Sequence, residues 1–340
     1  MGEVMTPKQS TIYDVAKLAG VSPTTVSRAI NSPSMVNKER RSRILYAIEE
    51  LQFVPKAEAV AKARQHLMKI AVIAPFFTES SFMERLKGIS SVLSDHHYEL
   101  VIYSVQSSEG LQGYIDLMVG SKRVDGLISL CMNLDDSIID KLRNSAIPVC
   151  FVETEVEGFD SVVIRNGKGG SMVAEFLYEN GYRTPGYVGE ASLRAYAARS
   201  TEQRLEGFSS YFATKGIEVE RRNIWLGENL PDVSTAGIYR LLDRPDRPDC
   251  IFASSDTLAI RTIKCAVQLG ITVPDELGVV GFDDIEMAEF VNLTTINQSL
   301  EDSGVQAAEM VLQRIKEPNR PARKSLIDLK LTKRSSTEYL

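Results

Sequence analysis

Residues 11–31 read T-I-Y-D-V-A-K-L-A-G-V-S-P-T-T-V-S-R-A-I-N and hold two short helical patterns parted by Gly20, Val21 and Ser22. In the first, Ile12, Val15, Ala16 and Ala19 recur at helical spacing and give one apolar face. Thr11 is placed to cap its start, with Asp14 three residues on as the partner of a capping box. Gly20 stops that helix, because glycine takes left-handed backbone without strain. Ser22 caps a second helix, and Pro23 suits its first position, where no amide is needed. Val26 and Ile30 turn inward, leaving Thr24, Thr25, Ser27 and Arg28 on the outer faces. An apolar back with hydroxyls and a guanidinium in front suits a DNA major groove, where those groups reach base edges and phosphates. The spacing predicts a helix-turn-helix.

Downstream, a third helix is predicted over about 38–52, with Asn37 as its cap and Ile44, Ile48 and Leu51 as its apolar stripe. The three make a small all-α headpiece over residues 1–55. Residues 56–68 are alanine-rich and charged, bury little, and read as a hinge linker. The charge distribution fits DNA contact through this end alone. Residues 1–69 carry 11 Lys and Arg against 6 Asp and Glu, whereas the whole chain of 340 residues has a net charge of −6. A basic module on an acidic body is the resulting expectation.

Composition excludes several classes. No run of 18 apolar residues marks a membrane span, and no apolar segment near the start reads as a secretory signal, so a cytoplasmic protein is expected. The 4 cysteines (Cys131, Cys150, Cys250, Cys265) lie far apart without a CxxC pair and read as buried free thiols. The 3 histidines (His66, His96, His97) offer no metal spacing and no triad, and no G-x-S-x-G occurs, so neither a metal, a cofactor nor catalysis is expected. Gly167-Lys168-Gly169-Gly170-Ser171 has the wrong spacing for a phosphate loop and is read as the opening of an ordinary helix.

From residue 69 strands and helices alternate. Strands are expected at 70–74, 99–104, 126–130 and 149–152. A second set follows at 161–164, 186–189, 250–253 and 279–282, with helices between. That alternation implies parallel sheets covered on both faces. Two such sets predict a two-lobed α/β effector and dimerisation domain over 69–340. Its first lobe is read as about 69–162 plus 285–325, and its second as about 163–284 plus 326–340. A late helix (301–316) and a strand-like tail (325–331) cross back between them. In open α/β sheets ligands bind at the carboxyl ends of strands, so the cleft between two such lobes is the expected effector site.

The stretch T-I-Y-D-V-A-x-x-A-G-V-S-x-x-T-V-S-R-x-I-N resembles the N-terminal signature of the lac-repressor/gal-repressor family of bacterial transcriptional regulators. R-L-E-G-F (204–208), S-D-T-L-A (255–259), V-P-D-E-L-G-V-V-G-F-D-D (273–284) and L-T-T-I-N-Q (293–298) are similar to further signatures of that family, so the resemblance covers essentially the whole chain. It implies a periplasmic-binding-protein-like body behind the headpiece. The partners it implies are double-stranded operator DNA, a small carbohydrate-like effector and a second copy of the chain.

The resemblance also carries residues. Pro23, Thr24 and Arg28 stand where family members read bases. Thr25, Ser27 and Asn31 stand where phosphates are held, and Thr11 and Ser22 at the helix starts complete the DNA-facing set. In the hinge Ala59 matches the family pattern, but Lys62 stands where a leucine wedge is usual. A lysine attracts minor-groove phosphates but does not unstack bases as an apolar side chain does. Either this hinge bends DNA less, or Val60 or another residue supplies the wedge. In the body, Arg204 matches an arginine that holds ligand oxygens, and Asp283 an acid that accepts from ligand hydroxyls. Glu153, Phe82, Ser255 and Asp232 fall at cleft positions. Arg165 replaces a usual aspartate. With Arg199 and Arg204 not far along the chain, it makes a sugar acid or sugar phosphate as plausible as a neutral sugar.

The expected function is therefore an allosteric transcriptional regulator, a repressor of carbohydrate genes that binds a pseudo-palindromic operator as a homodimer. The alternatives are a catabolite-control-type regulator whose effector is a phosphoprotein, and a transporter's solute-binding protein. The headpiece and the missing signal speak against the latter. No leucine heptads follow residue 320, so a C-terminal coiled coil is not expected.

Overall fold

The computed structural model describes residues 10–31, 35–53, 67–75, 79–191, 196–228 and 230–337. The hinge positions Ala59, Val60 and Lys62, and the side chain of Asn31, lie outside the described residues. The chain divides between Lys69 and Ile70 into two compact units.

The first unit is built from α1 (Ile12–Ala19), α2 (Pro23–Asn31) and α3 (Lys38–Glu50). Its helix ends follow local chemistry. The Asp14 amide donates to the Thr11 hydroxyl at 3.3 Å and the Thr11 amide donates back to the Asp14 carboxylate at 2.8 Å. Gly20 sits in left-handed backbone at φ 64°. The Thr25 amide donates to Ser22 Oγ at 3.2 Å, and the Arg40 amide to Asn37 Oδ1 at 2.9 Å. Val15, Ala16, Ala19, Val26, Ala29, Ile44 and Ala47 form the core, with Ile30 only half-buried beside them. Ile30 packs against this core as the pattern assigns, and Ala29 joins it there.

The second unit runs β1 (Lys69–Ala74), α4 (Ser80–Asp95), β2 (Glu99–Ser104), α5 (Ser108–Ser121), β3 (Gly126–Leu130), α6 (Asp136–Arg143), β4 (Val149–Val152) and β5 (Asp160–Ile164). It continues with α7 (Asn166–Glu179), β6 (Pro185–Glu190), α8 (Ser200–Thr214), β7 (Ile224–Gly227), α9 (Pro231–Leu242), β8 (Cys250–Ala253), α10 (Asp256–Gln268) and β9 (Gly278–Asp283). The last elements are α11 (Glu286–Phe290), β10 (Thr294–Asn297), α12 (Leu300–Lys316), β11 (Lys324–Ile327) and β12 (Lys330–Thr332). Two six-stranded sheets result, in the orders β11-β5-β4-β3-β1-β2 and β12-β10-β9-β8-β6-β7. The pairings β1–β3, β3–β4, β4–β5 and β5–β11 are parallel, as are β6–β7, β6–β8, β8–β9 and β9–β10. β12 enters antiparallel, against β10.

This corrects the lobe limits read from the pattern. The strand at 160–164 opens the second set on paper but pairs with β4 and belongs to the first sheet. Residues 285–297 belong to the second lobe, because β10 pairs with β9 and Leu293 and Ile296 pack into the second lobe's cores. The tail at 325–331 is two strands in different sheets. The chain therefore crosses between lobes after β5, after β10 and after β11. The edge strand β7 is half-exposed and lacks the alternation that would have announced it.

Glycines set two close helix crossings. A Cβ on Gly88 would meet the Glu301 carbonyl, and one on Gly304 the Arg85 carbonyl, where α4 crosses α12. A Cβ on Gly170 would meet the Arg204 carbonyl, and one on Gly207 the Gly167 carbonyl, where α7 crosses α8. The glycine run at 167–170 thus serves helix packing. All four cysteines are buried free thiols.

Candidate functional site

In the first unit, α2 presents Thr24 and Arg28 to solvent one turn apart, while Val26 and Ala29 face the core. Pro23, Thr25 and Ser27 are half-buried flanks of that face. Two hydroxyls of the predicted set are engaged in capping: Ser22 Oγ lies 2.8 Å from Thr25 Oγ1, and Thr11 Oγ1 donates to Asp14 at 2.6 Å. The exposed pair is what this face offers a base edge, since base readout needs side chains that project past the helix surface.

In the second unit, a cavity of about 110 Å³ opens where the carboxyl ends of both sheets meet. Five predicted residues line it: Phe82, Glu153, Arg204, Ser255 and Asp283. Three lining residues at strand ends, Cys131 (φ 52°), Glu153 (φ 68°) and Asp283 (φ 124°), have positive φ. Such backbone is unfavourable for non-glycine residues and concentrates at functional sites.

The charges form one chain across the lobes. Arg85, 1% exposed on α4, pairs through Nη2 with Glu153 Oε1 and donates to Gln298 Oε1 at 3.2 Å. Glu153 Oε2 accepts from the Ser200 hydroxyl at 2.5 Å, which joins the end of β4 to the start of α8 in the other lobe. Gln298 Nε2 donates to Asp283 Oδ1. Arg204 Nη1 lies 3.9 Å from that oxygen, its Nε donates to Asn166 Oδ1 at 2.8 Å, and its guanidinium stacks 3.7 Å from the Phe282 ring centroid. Burial pushes the Asp283 carboxyl up to about 6, with Arg204 and Arg85 opposing. Burial also works against the Glu153 carboxylate, but Arg85 and Arg204 overcome it and hold that group below its ordinary range.

Arg165, Arg199 and Asp232 are not brought to the cavity walls. Arg165 is exposed just ahead of α7, Arg199 is 73% exposed and lies 3.9 Å from Glu202, and Asp232 is exposed in the first turn of α9. Their neighbours point inward instead: Asn166 holds Arg204, and Ser200 holds Glu153. At a helix start one residue of displacement turns a side chain by about 100°, enough to swap wall for solvent. Ser255 caps α10 through the Leu258 amide, at 3.4 Å. Asp256 is fully buried and accepts from the Ile285 amide at 2.9 Å and the Thr295 hydroxyl at 2.5 Å, so it ties down the turn after β9. Sequence reasoning missed Arg85 and Gln298. Gln298 ends the quoted L-T-T-I-N-Q run, and Arg85 stands three residues after Phe82 on one helix face. Among the described residues no cluster of His, Cys, Asp and Glu is placed to hold a metal ion, and no helix is long and apolar enough to cross a membrane.

Comparison with known proteins agrees at both ends of the chain. Residues 11–56 match the model for bacterial regulatory proteins of the lacI family, and residues 174–337 match that for a periplasmic binding protein-like domain. The HTH-type transcriptional repressor PurR of Pectobacterium atrosepticum is 30% identical over 318 residues, 90% of each chain. PurR of Photobacterium profundum is 29% identical over 337 residues, 97% of this chain and 99% of that one. Among solved structures, the complex of the transcriptional regulator CelR with cellobiose superposes with a TM-score of 0.70 at 25% identity, covering 96% of this chain and 100% of that one.

Proposed function

The chain belongs to the lacI family of bacterial regulatory proteins and is a transcriptional repressor that binds operator DNA, and from that premise we propose that a small neutral polyhydroxylated effector in the inter-lobe cavity controls it. The observation that carries this reading is the balance of charge on the cavity wall. Among the described residues of the wall, Glu79, Glu153, Glu190, Glu202 and Asp283 stand against Arg85 and Arg204, while Arg165 and Arg199 do not line it. An excess of carboxylates repels a sugar acid or sugar phosphate, whereas hydroxyls both donate to carboxylates and accept from guanidiniums. The relative in complex with cellobiose is consistent with such a ligand. Closure of the lobes on the effector alters the operator-binding state, so the two affinities are linked reciprocally.

The test is a thermal-shift screen of the full-length protein against neutral sugars, sugar acids and sugar phosphates. A ligand at about 100 times its Kd stabilises the folded form by about 2.7 kcal/mol. Hits confined to the acids or phosphates would refute the neutral reading. With a hit in hand, Arg204→Ala is expected to abolish the effector's action on operator binding while operator affinity without effector persists. Arg165→Ala is expected to leave the response unchanged. Gel-shift titration with and without the hit measures both.

The repressor acts as a homodimer in this reading, with α2 of each copy in successive major grooves. Support comes from α11 and its end, where Met287, Phe290 and Val291 are 51%, 70% and 37% exposed. Three large apolar side chains exposed within five residues suit burial against a second copy. Phe290→Glu is expected to yield monomers in analytical ultracentrifugation. Operator affinity should then fall by about 100-fold or more, as bivalent engagement is lost. A dimeric Phe290→Glu variant would move the interface elsewhere.

A further inference from the structure

Arg85 has five donors and is 1% exposed, yet its Nε has no hydrogen-bond partner. A buried donor without an acceptor is unfavourable, and native structures rarely keep one where nothing comes to meet it. The same cavity wall holds a second orphan of opposite kind, the buried Oε2 of Glu202. One site therefore offers a spare donor from the first lobe and a spare acceptor from the second. Nη2 of the Arg85 fork is committed. It meets Glu153, whose other oxygen takes the Ser200 hydroxyl, and Gln298, which continues to Asp283. Both branches end on the second lobe. The close crossing at Gly304, against the Arg85 carbonyl, fixes the helix that carries it.

We infer that Arg85 is the specificity-determining residue of the cavity: its Nε–H selects an effector hydroxyl oxygen, and its branched contacts pass the presence of that oxygen to both lobes. This rests on the neutral-effector reading above. A hydroxylated ligand satisfies both orphans, one oxygen accepting from Arg85 and one hydroxyl donating to Glu202. Of the remaining fork, Nη2 alone makes both branch contacts, so an effector that pulls the guanidinium toward itself loosens Glu153–Ser200 and Gln298–Asp283 together.

The experiment compares full-length wild type with Arg85→Met, Arg85→Lys and Arg165→Ala. The probes are cellobiose, ribose, glucose and gluconate, read by thermal shift and calorimetry. Hydrogen exchange is followed without any probe at the segments around Glu153, Ser200 and Gln298. A neutral sugar that binds wild type should bind Arg165→Ala equally and Arg85→Met about 10- to 100-fold more weakly, the loss expected for a hydrogen bond to a charged donor. Lysine keeps a cation for Glu153 but has no Nε–H fork. Arg85→Lys should therefore recover wild-type exchange protection and not affinity, a split that a merely structural arginine would not produce. Arg85→Met should speed exchange at all three segments. Equal affinity of a neutral sugar for wild type and Arg85→Met overturns the selection, as does full recovery of affinity by lysine. Unchanged exchange in Arg85→Met overturns the coupling. Binding of gluconate alone, or of no probe, by wild type overturns the neutral-effector reading and the selection with it, and the exchange comparison still decides the coupling.

Discussion

Arg28→Ala is expected to remove specific operator binding while leaving the fold and the effector response of the body intact. Arg28 is exposed on α2, one turn from Thr24, on the side away from Val26 and Ala29. A good bidentate arginine–guanine contact discriminates by about 1–3 kcal/mol, and a dimer makes it in both half-sites. The combined loss is then about 2–6 kcal/mol, or from roughly 30-fold to beyond 10,000-fold in affinity. An operator selected with wild type from random DNA supplies the probe, and fluorescence anisotropy over a range of salt supplies the measurement. The salt dependence separates two roles. An arginine that reads a base lowers specific binding far more than non-specific binding. One that only neutralises a phosphate weakens all sequences alike and flattens the salt slope by about one per contact. Melting should not move by more than about 0.5 kcal/mol, as for most surface substitutions. Undiminished specific binding by Arg28→Ala would sink the assignment of α2 as the reading helix.

The difference between what was legible and what was not follows the range of the interactions. The headpiece was legible because its signals are local. Thr11 with Asp14, Gly20, Ser22 before Pro23 and Asn37 before α3 all act within four residues. The two-lobed body was legible as alternation, but its seams were not. Whether strand 160–164 joins the first sheet depends on its pairing with β4 and with β11, which lies more than 150 residues away. Arg204 and Asp283 were found through their motifs, and Arg165 and Arg199 missed the wall by one residue each. Arg85 was hidden for a physical reason. An arginine in an amphipathic helix reads as a solvent residue until its partners are known. Here those partners, Glu153 and Gln298, are 68 and 213 residues along the chain. Burial of the cation is tolerable only with both in place.

The same glycine-to-alanine change is expected to have opposite signs at two helical positions, and the contrast tests what positions Arg204. At Gly207 the new methyl would enter the Gly167 backbone carbonyl, which cannot rotate aside as a side chain would. The helices α7 and α8 must separate, and the carbonyl of Arg204, in close contact with Gly170 in the same crossing, moves with them. Overpacking of this kind costs about 1–3 kcal/mol and sometimes more, against a gain of about 1 kcal/mol from alanine's better helix propensity. A net loss of up to about 2 kcal/mol corresponds to a Tm lower by up to about 4–8 °C in a unit of this size. Effector affinity should fall further than stability, since a small displacement of Arg204 breaks its contacts to Asn166 and Ser254, at 2.8 and 2.5 Å. At Gly113, exposed within α5, nothing lies within 4 Å of the added methyl. Gly113→Ala should therefore raise stability by up to about 1 kcal/mol and leave the effector response untouched. Calorimetric melting of both variants, with and without a bound effector, decides the matter. Equal shifts of one sign would mean that the α7–α8 crossing has room to spare and that Arg204 is held by its hydrogen bonds alone.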